Sequence, residues 1–240
     1  MSKSLTDEFL FYTIPHFSQR YFLRKDIGYV VKKYKLKGKL LDVGCGEKPY
    51  KFLFKNTKYL GIDFPNFSPN KSVNIKDEPN IYFPENYKLV GKLPFQDNTF
   101  DIVCAFQVFE HVTDPFILFD EMVRILKRNG YLLITAPFLW ALHEEPNDHF
   151  RFTRYTFDRL IKLHHCRLHY YKKQGGLLSA IETLLENYLV ELNQKNKLYY
   201  FLTLPLYIPL LLLSYLAVLV ENYYSSKSIY INNLFLIKKW

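Results

Sequence analysis

Two glycines and an aspartate make the strongest chemical pattern in this chain. Gly44-Cys45-Gly46 closes the short apolar run Lys39–Val43, and Asp63 closes the next one, Tyr59–Asp63, 19 residues after Gly44. Glycines at such a turn let the backbone bend sharply and let a ligand approach main-chain amides with no Cβ in the way. An acid at the end of the following strand can accept hydrogen bonds from ribose hydroxyls. Taken alone the Gly-x-Gly turn is either a structural turn or a cofactor loop, and the placement of Asp63 favours the loop. The full Gly-x-Gly-x-x-Gly of a nicotinamide site is missing.

A second polar concentration, His143-Glu144-Glu145-Pro146-Asn147-Asp148-His149-Phe150-Arg151, follows the apolar run Tyr131–Ala136. It holds His, Asp and Glu, the three types that most often remove a proton from a hydroxyl. His143, Asp148 and His149 are the candidates for a base, and Arg151 for an anion contact. Glu110 and His111 read first as structural hydrogen-bonding groups at a helix start, with His111 carried forward as an acceptor contact. His164, His165 and His169 lack a carboxylate cluster at ligand spacing. The three cysteines, Cys45, Cys104 and Cys166, lack paired spacing. No metal site and no disulfide framework are expected, and the cysteine usage fits a reducing, cytoplasmic setting.

These residues need a scaffold that delivers them to one edge. Short apolar runs at Lys39–Val43, Tyr59–Asp63, Phe100–Ala105 and Tyr131–Ala136, with a helix over Pro115–Lys127, predict a parallel sheet covered by helices on both faces. Phe9–Lys35 reads as one or two leading helices. In such open sheets ligands bind beyond the carboxyl ends of the strands, where both polar groups fall. With 49% apolar and 23% charged residues over 240 positions, the chain is long and apolar enough for a packed core. The formal charge of +9 suits nucleic acid, an anionic membrane or a phosphorylated substrate alike. The basic stretch Arg151–Lys173 carries no zinc-finger or RNA-recognition signature, so no specific nucleic-acid binding is expected.

The ordered series Leu41-Asp42-Val43-Gly44-Cys45-Gly46, Gly61-Ile62-Asp63, Leu93-Pro94-Phe95-Gln96-Asp97-Asn98-Thr99-Phe100-Asp101, Glu110-His111-Val112 and Arg124–Gly130 resembles class I S-adenosylmethionine-dependent methyltransferases. The resemblance covers about residues 39 to 175. It implies an α/β, Rossmann-like, mostly parallel sheet with S-adenosylmethionine as cofactor. By that likeness Asp42, Gly44, Cys45 and Gly46 wrap its methionine end. Asp63, with Phe64 beside it, holds the ribose, Gly91 to Phe95 (Leu93 and Phe95 foremost) border the adenine, and Phe106 and Gln107 sit beside the sulfonium. Two departures stand out: Lys48 replaces a third loop glycine, and an acid usual before Leu-Pro-Phe is missing, which leaves adenine recognition to backbone groups. The Gly-Cys-Gly-Glu-Lys-Pro-Tyr form and the His143–Thr153 stretch are similar to a bacterial branch associated with surface polysaccharides and glycolipids. That implies O-methylation of a sugar or lipid-linked saccharide.

Leu198–Val220 is a run of 23 residues without a formal charge, interrupted by Pro205 and Pro209. It is expected to enter one leaflet as a helical pair split near the prolines, placing the protein peripherally or monotopically on the cytoplasmic membrane face; a buried soluble hairpin is the alternative. Ile229–Lys238 then reads as the last strand, next to one near Cys166–Tyr171. The organisation expected is capping helices over 1–38, a methyltransferase core over 39–175, a hydrophobic helical insertion over 176–228 and the last strand over 229–240. A scaffold without turnover and a nicotinamide-dependent oxidoreductase are the competing readings.

Overall fold

A computed structural model describes residues 16–63, 80–82, 93–195, 202–224, 226 and 228–240. Phe64 and Gly91 lie outside the described residues, as does the start of the leading helical region. Seven strands form one sheet in the order β3-β2-β1-β4-β5-β7-β6. They are β1 (Gly38–Val43), β2 (Thr57–Asp63), β3 (Ile81–Tyr82), β4 (Phe100–Phe106), β5 (Leu126–Pro137), β6 (Cys166–Gln174) and β7 (Asn232–Lys239). The pairings of β1 with β2, β1 with β4, β2 with β3 and β4 with β5 are parallel. Leu40, Leu41 and Val43 of β1 and Ile102 to Ala105 of β4 are almost wholly buried, which is why these strands read as unbroken apolar runs.

The helices are α1 (Phe17–Lys33), α2 (Pro115–Ile125), α3 (Arg154–Leu163), α4 (Leu177–Lys195) and α5 (Tyr207–Glu221). Helix α2 starts where the sequence dictates: the Asp114 carboxylate accepts from the backbone N–H groups of Phe116 and Ile117, both at 3.1 Å, and Pro115 stands in the first turn. It ends at Ile125, two residues before the Lys127 expected, because Leu126 already pairs with Phe100 of β4. The register then jumps so that Ile102 faces Tyr131. The intervening residues bulge outward, with Asn129 in the left-handed region (φ 64°). Strand β5 is therefore longer than the Tyr131–Ala136 expected.

The chain divides into two compact units. One comprises Asp26–Pro137, Leu142–Lys172 and Asn233–Trp240. Its core joins Phe109, Phe119, Phe157 and Phe235 to the strand interiors. At the amino ends of its strands Asp101 accepts from the Lys39 backbone N–H (2.8 Å) and from Lys127 Nζ (2.8 Å), a structural tie as its place at a strand start implies.

The other unit comprises the N-terminal segment through Lys25, Phe138–Ala141 and Lys173–Asn232. Here α4 and α5 pack through a polar seam. Ser214 Oγ donates to Glu182 at 2.8 Å, and Glu221 accepts from the backbone N–H of Leu178 (2.7 Å) and from the Ser179 hydroxyl. Their outward faces are apolar: Ile181, Leu184, Leu185 and Tyr188 on α4, and Ile208, Leu212, Leu216 and Leu219 on α5, are all exposed. Residues 198–201 of the segment expected to form a helical pair lie outside the described residues, and residues 202 and 203, before Pro205, are helical. Pro205 sits in a 3-10 turn, Leu204–Leu206, and Pro209 in the first turn of α5, where its missing N–H costs no hydrogen bond.

Candidate functional site

At the carboxyl end of β1 the chain turns through Gly44 (φ 67°) and Gly46 (φ 48°). The two glycines are needed for different reasons. A Cβ on Gly44 would lie 2.5 Å from Val108 Cγ2, whereas one on Gly46 would meet, among the described residues, Asp63 Oδ2 at 4.0 Å. Gly44 is confined by packing, and Gly46 is unconfined by the described residues beside the carboxylate. The Gly46 backbone N–H donates to Asp63 Oδ2, so turn and acid form one unit. Lys48 keeps a left-handed conformation (φ 53°) without being glycine, and its side chain is buried over Gly61.

Asp42 and Cys45 lie behind this turn. Asp42 is 2% exposed and accepts a hydrogen bond from the Tyr59 hydroxyl. Burial pushes its carboxyl up to about 7, against the Tyr59 hydrogen bond and the Lys48 charge, which pull it down. Cys45 is buried with its Sγ against Gly61, and burial raises its thiol. These two brace the loop from below, while Gly46 and Asp63 form its open side. Phe106, with the Tyr50 ring edge-on at 5.2 Å, ends β4. Gln107 follows in the left-handed region, its Nε2 donating to Thr135 Oγ1 at 3.1 Å.

Leu93 and Phe95 are fixed by α2. Arg124 donates to the carbonyls of Leu93 (3.0 Å) and Phe95 (2.9 Å), and Glu121 accepts from the Leu93 backbone N–H at 2.7 Å. Sequence reasoning placed the Leu-Pro-Phe motif without finding this clamp, whose signal was the Glu121–Arg124 spacing on one helix face.

The second polar group gathers where β4 and β5 end. Asp148, its side chain 1% exposed, accepts from the His143 backbone N–H (3.0 Å) and lies 3.1 Å from His143 Nδ1. Arg151 grips both its oxygens at 2.5 and 2.7 Å. Burial opposes ionisation of Asp148, but the Arg151 and His143 hydrogen bonds prevail and hold it down at about 2. Arg151, expected to meet an anion, thus spends its guanidinium on Asp148. His149 is exposed; its backbone N–H donates to the Glu110 carbonyl at 2.8 Å and its ring lies near Phe150, so it does not join His143 and Asp148. His111 does come to His143, with ring centroids 4.7 Å apart, and its Nδ1 lies 2.9 Å from the Asn147 carbonyl.

Glu110 was the residue undervalued from sequence. It is 1% exposed, and neither carboxylate oxygen has a hydrogen-bond partner among the described residues. Burial pushes it up to about 8. Glu110 does serve the turn through its backbone, its carbonyl accepting from the N–H groups of His149 and Phe150, but its carboxylate is hydrogen-bonded to no other described residue.

Residues 41–134 match the family model described as methyltransferase domain. An uncharacterized methyltransferase of Schizosaccharomyces pombe is 32% identical over 122 residues, 43% of this chain and 41% of that protein. A protein of Methanocaldococcus jannaschii is 36% identical over 116 residues, 47% of each chain. The chain thus spans less than half the length of the curated relatives it matches. Among solved structures, a protein from Galdieria sulphuraria assigned as a sarcosine dimethylglycine methyltransferase aligns with TM-score 0.55 at 15% identity, over 90% of this chain and 86% of that one. The 4+2 cyclase SpnF aligns at 0.54 and 16% identity, over 92% and 82%. The fold is that of Rossmann-like class I methyltransferases, and the matched segment Leu41–Ile134 carries both the glycine turn and Asp63.

Proposed function

We propose that this protein transfers the methyl group of S-adenosylmethionine to a hydroxyl of a sugar or lipid-linked saccharide at a membrane surface. The observation that carries the cofactor half is the union of Gly46 and Asp63: a glycine that no described residue crowds, hydrogen-bonded to a strand-end carboxylate. Such a carboxylate can hold two ribose hydroxyls while the loop amides face the methionine end. The sulfonium is already an activated donor, so positioning dominates the chemistry. The acceptor meets the His111–His143 group, where its proton leaves; Asp148 is the positioning residue that orients His143.

The membrane half rests on the outward face of α4 and α5. Leu204–Glu221 has a mean hydropathy of 1.9 and only 22% of it is buried, while its polar side chains turn inward. An exposed apolar surface of this kind marks an interaction site. One copy of the chain on the cytoplasmic leaflet, held by these helices, suits a lipid-linked acceptor.

The deciding experiment is calorimetry with S-adenosylmethionine and NAD, followed by mass spectrometry of a membrane glycolipid extract incubated with protein and cofactor. A methyl-sized mass increase that requires the protein supports the reading; binding of NAD alone overturns it. SpnF has this fold and is a cyclase, so a second reading, a cofactor-retaining protein without methyl transfer, is the outcome when S-adenosylmethionine binds and no extract component gains mass.

A further inference from the structure

We propose that Glu110, His111 and His143 bind a divalent transition-metal cation, with Zn²⁺ as the probe ion. Each offers one ligand atom, and the three lie within 4.8 Å of one another. Glu110 Oε1 is 3.9 Å from His111 Nε2, and Glu144 Oε2 is 3.7 Å from the same nitrogen on the outer side.

Three observations turn this proximity into a site. Glu110 is 1% exposed and both its oxygens lack a hydrogen-bond partner among the described residues. A buried carboxylate in that state is costly, and coordination of a cation removes the cost. Each histidine has its Nδ1 beside an acceptor, the Asn147 carbonyl for His111 (2.9 Å) and the Asp148 carboxylate for His143 (3.1 Å). An Nδ1–H donated to carbonyl or carboxylate leaves Nε2 as the lone-pair nitrogen, which is the arrangement that orients metal-binding histidines. Finally, two imidazoles and one carboxylate form a donor set that zinc accepts with a position left open. Bonds of about 2.0 to 2.2 Å require the three side chains to draw together by on the order of 1 Å. Arg151, whose charge acts on Glu110, is matched by both oxygens of Asp148.

This placement was invisible in the spacing, because Glu110 and His111 follow β4 while His143 follows β5; only the sheet brings them to one edge. The role of the ion, resting on the methyltransferase reading above, is to bind the acceptor hydroxyl at the open position and lower its pKa, so that the proton leaves to solvent as the methyl group arrives. The oxygen then displaces the sulfonium, forming one O–C bond as one S–C bond breaks.

The test uses the full, tag-free chain. After dialysis against Zn²⁺ and removal of free metal, elemental analysis is expected to find one equivalent per chain. Calorimetry should show affinity reduced at least about tenfold in Glu110→Gln and in His143→Ala. Replacement by Co²⁺ gives an independent reading on the wild type: visible d–d bands without thiolate-to-metal charge transfer place the ion on nitrogen and oxygen rather than on the free cysteines. Melting curves for both variants establish that they fold. No retained zinc in the wild type, a thiolate band with Co²⁺, or unchanged zinc affinity in both folded variants overturns the site. S-adenosylmethionine affinity measured on the same samples tests the cofactor reading separately, since a chain that binds zinc but no cofactor refutes that reading and leaves the metal site standing.

Discussion

The backbone N–H of Gly46 donates to Oδ2 of Asp63, so the turn after β1 is fastened to the carboxylate that ends β2. That side chain holds the loop in shape and, on the function proposed above, also faces the ribose. Asp63→Ala is expected to weaken S-adenosylmethionine at least tenfold, because charge-assisted hydrogen bonds contribute roughly 1.5 to 3 kcal/mol each. Calorimetry checks it; an unchanged dissociation constant removes Asp63 from the cofactor site.

The two loop glycines should fail differently. Gly44→Ala drives its methyl group to 2.5 Å from Val108 and keeps a left-handed backbone, so the melting temperature should fall sharply. Gly46→Ala meets nothing closer than 4.0 Å among the described residues and bears the left-handed penalty, about 1 to 2 kcal/mol. It should stay folded yet bind S-adenosylmethionine at least about tenfold more weakly, since its methyl group enters the space beside Asp63. Equal effects of the two substitutions on cofactor affinity in folded protein would contradict this division.

Asp42 gives stability a defined pH dependence. Burial raises its carboxyl from 3.8 to about 7, so the folded protein retains a proton there that the unfolded chain releases. Native stability from this group is fully present below about pH 4, declines as pH rises, and is lost above about 7. Asp42→Asn removes the titration. The melting temperature of wild type relative to Asp42→Asn should therefore fall between pH 5 and pH 8, and a constant difference would show that Asp42 ionises normally.

On the acceptor side, His143→Ala and Asp148→Asn should each cut turnover while S-adenosylmethionine still binds. Loss of a group that activates the acceptor hydroxyl, whether as a base or as a ligand of the ion that activates it, typically costs about a hundredfold or more. Asp148→Asn should also lower the melting temperature, because it leaves the Arg151 guanidinium without its charged partner; His143→Ala leaves that pair intact. Wild-type rates from both variants place proton removal elsewhere.

The sheet was legible because parallel strands buried on both faces leave continuous apolar runs, as at Lys39–Val43 and Phe100–Ala105. Asp114-Pro115 announced α2 through its cap chemistry. The start of β5 was not legible: Arg128-Asn129-Gly130 has turn composition, yet Leu126 is already paired and the extra residues bulge. At Pro209 the sequence is ambiguous, since a first-turn proline and a helix breaker look alike until the helix start is known. Within the site, residue types pointed to His143 and Asp148, but the spent guanidinium of Arg151 and the unpartnered carboxylate of Glu110 are products of tertiary packing. No local pattern records whether a buried polar atom is satisfied.

The exposed face of α5 should bind a bilayer without crossing it. Strands β6 and β7, neighbours in one sheet, flank the α4–α5 segment, so the chain leaves the sheet and returns to it. A single crossing would strand β7 on the far side. Length alone does not oppose a crossing, since the 18 residues of Leu204–Glu221 make about 27 Å of helix against a hydrocarbon thickness of about 30 Å; what opposes it is the return of the chain to the sheet. The outward leucines can instead lie in the headgroup boundary of one leaflet, with the net charge of +9 adding attraction to anionic lipid. Wild-type protein is expected to co-sediment with vesicles containing anionic phospholipid and to release partly at high salt. The double variant Ile208→Glu, Leu212→Glu changes two positions that are 69% and 64% exposed, so it should fold normally and stay in the supernatant. Equal sedimentation of the two proteins would refute membrane docking through α5, and resistance of the wild type to carbonate extraction at high pH would indicate insertion deeper than this geometry allows.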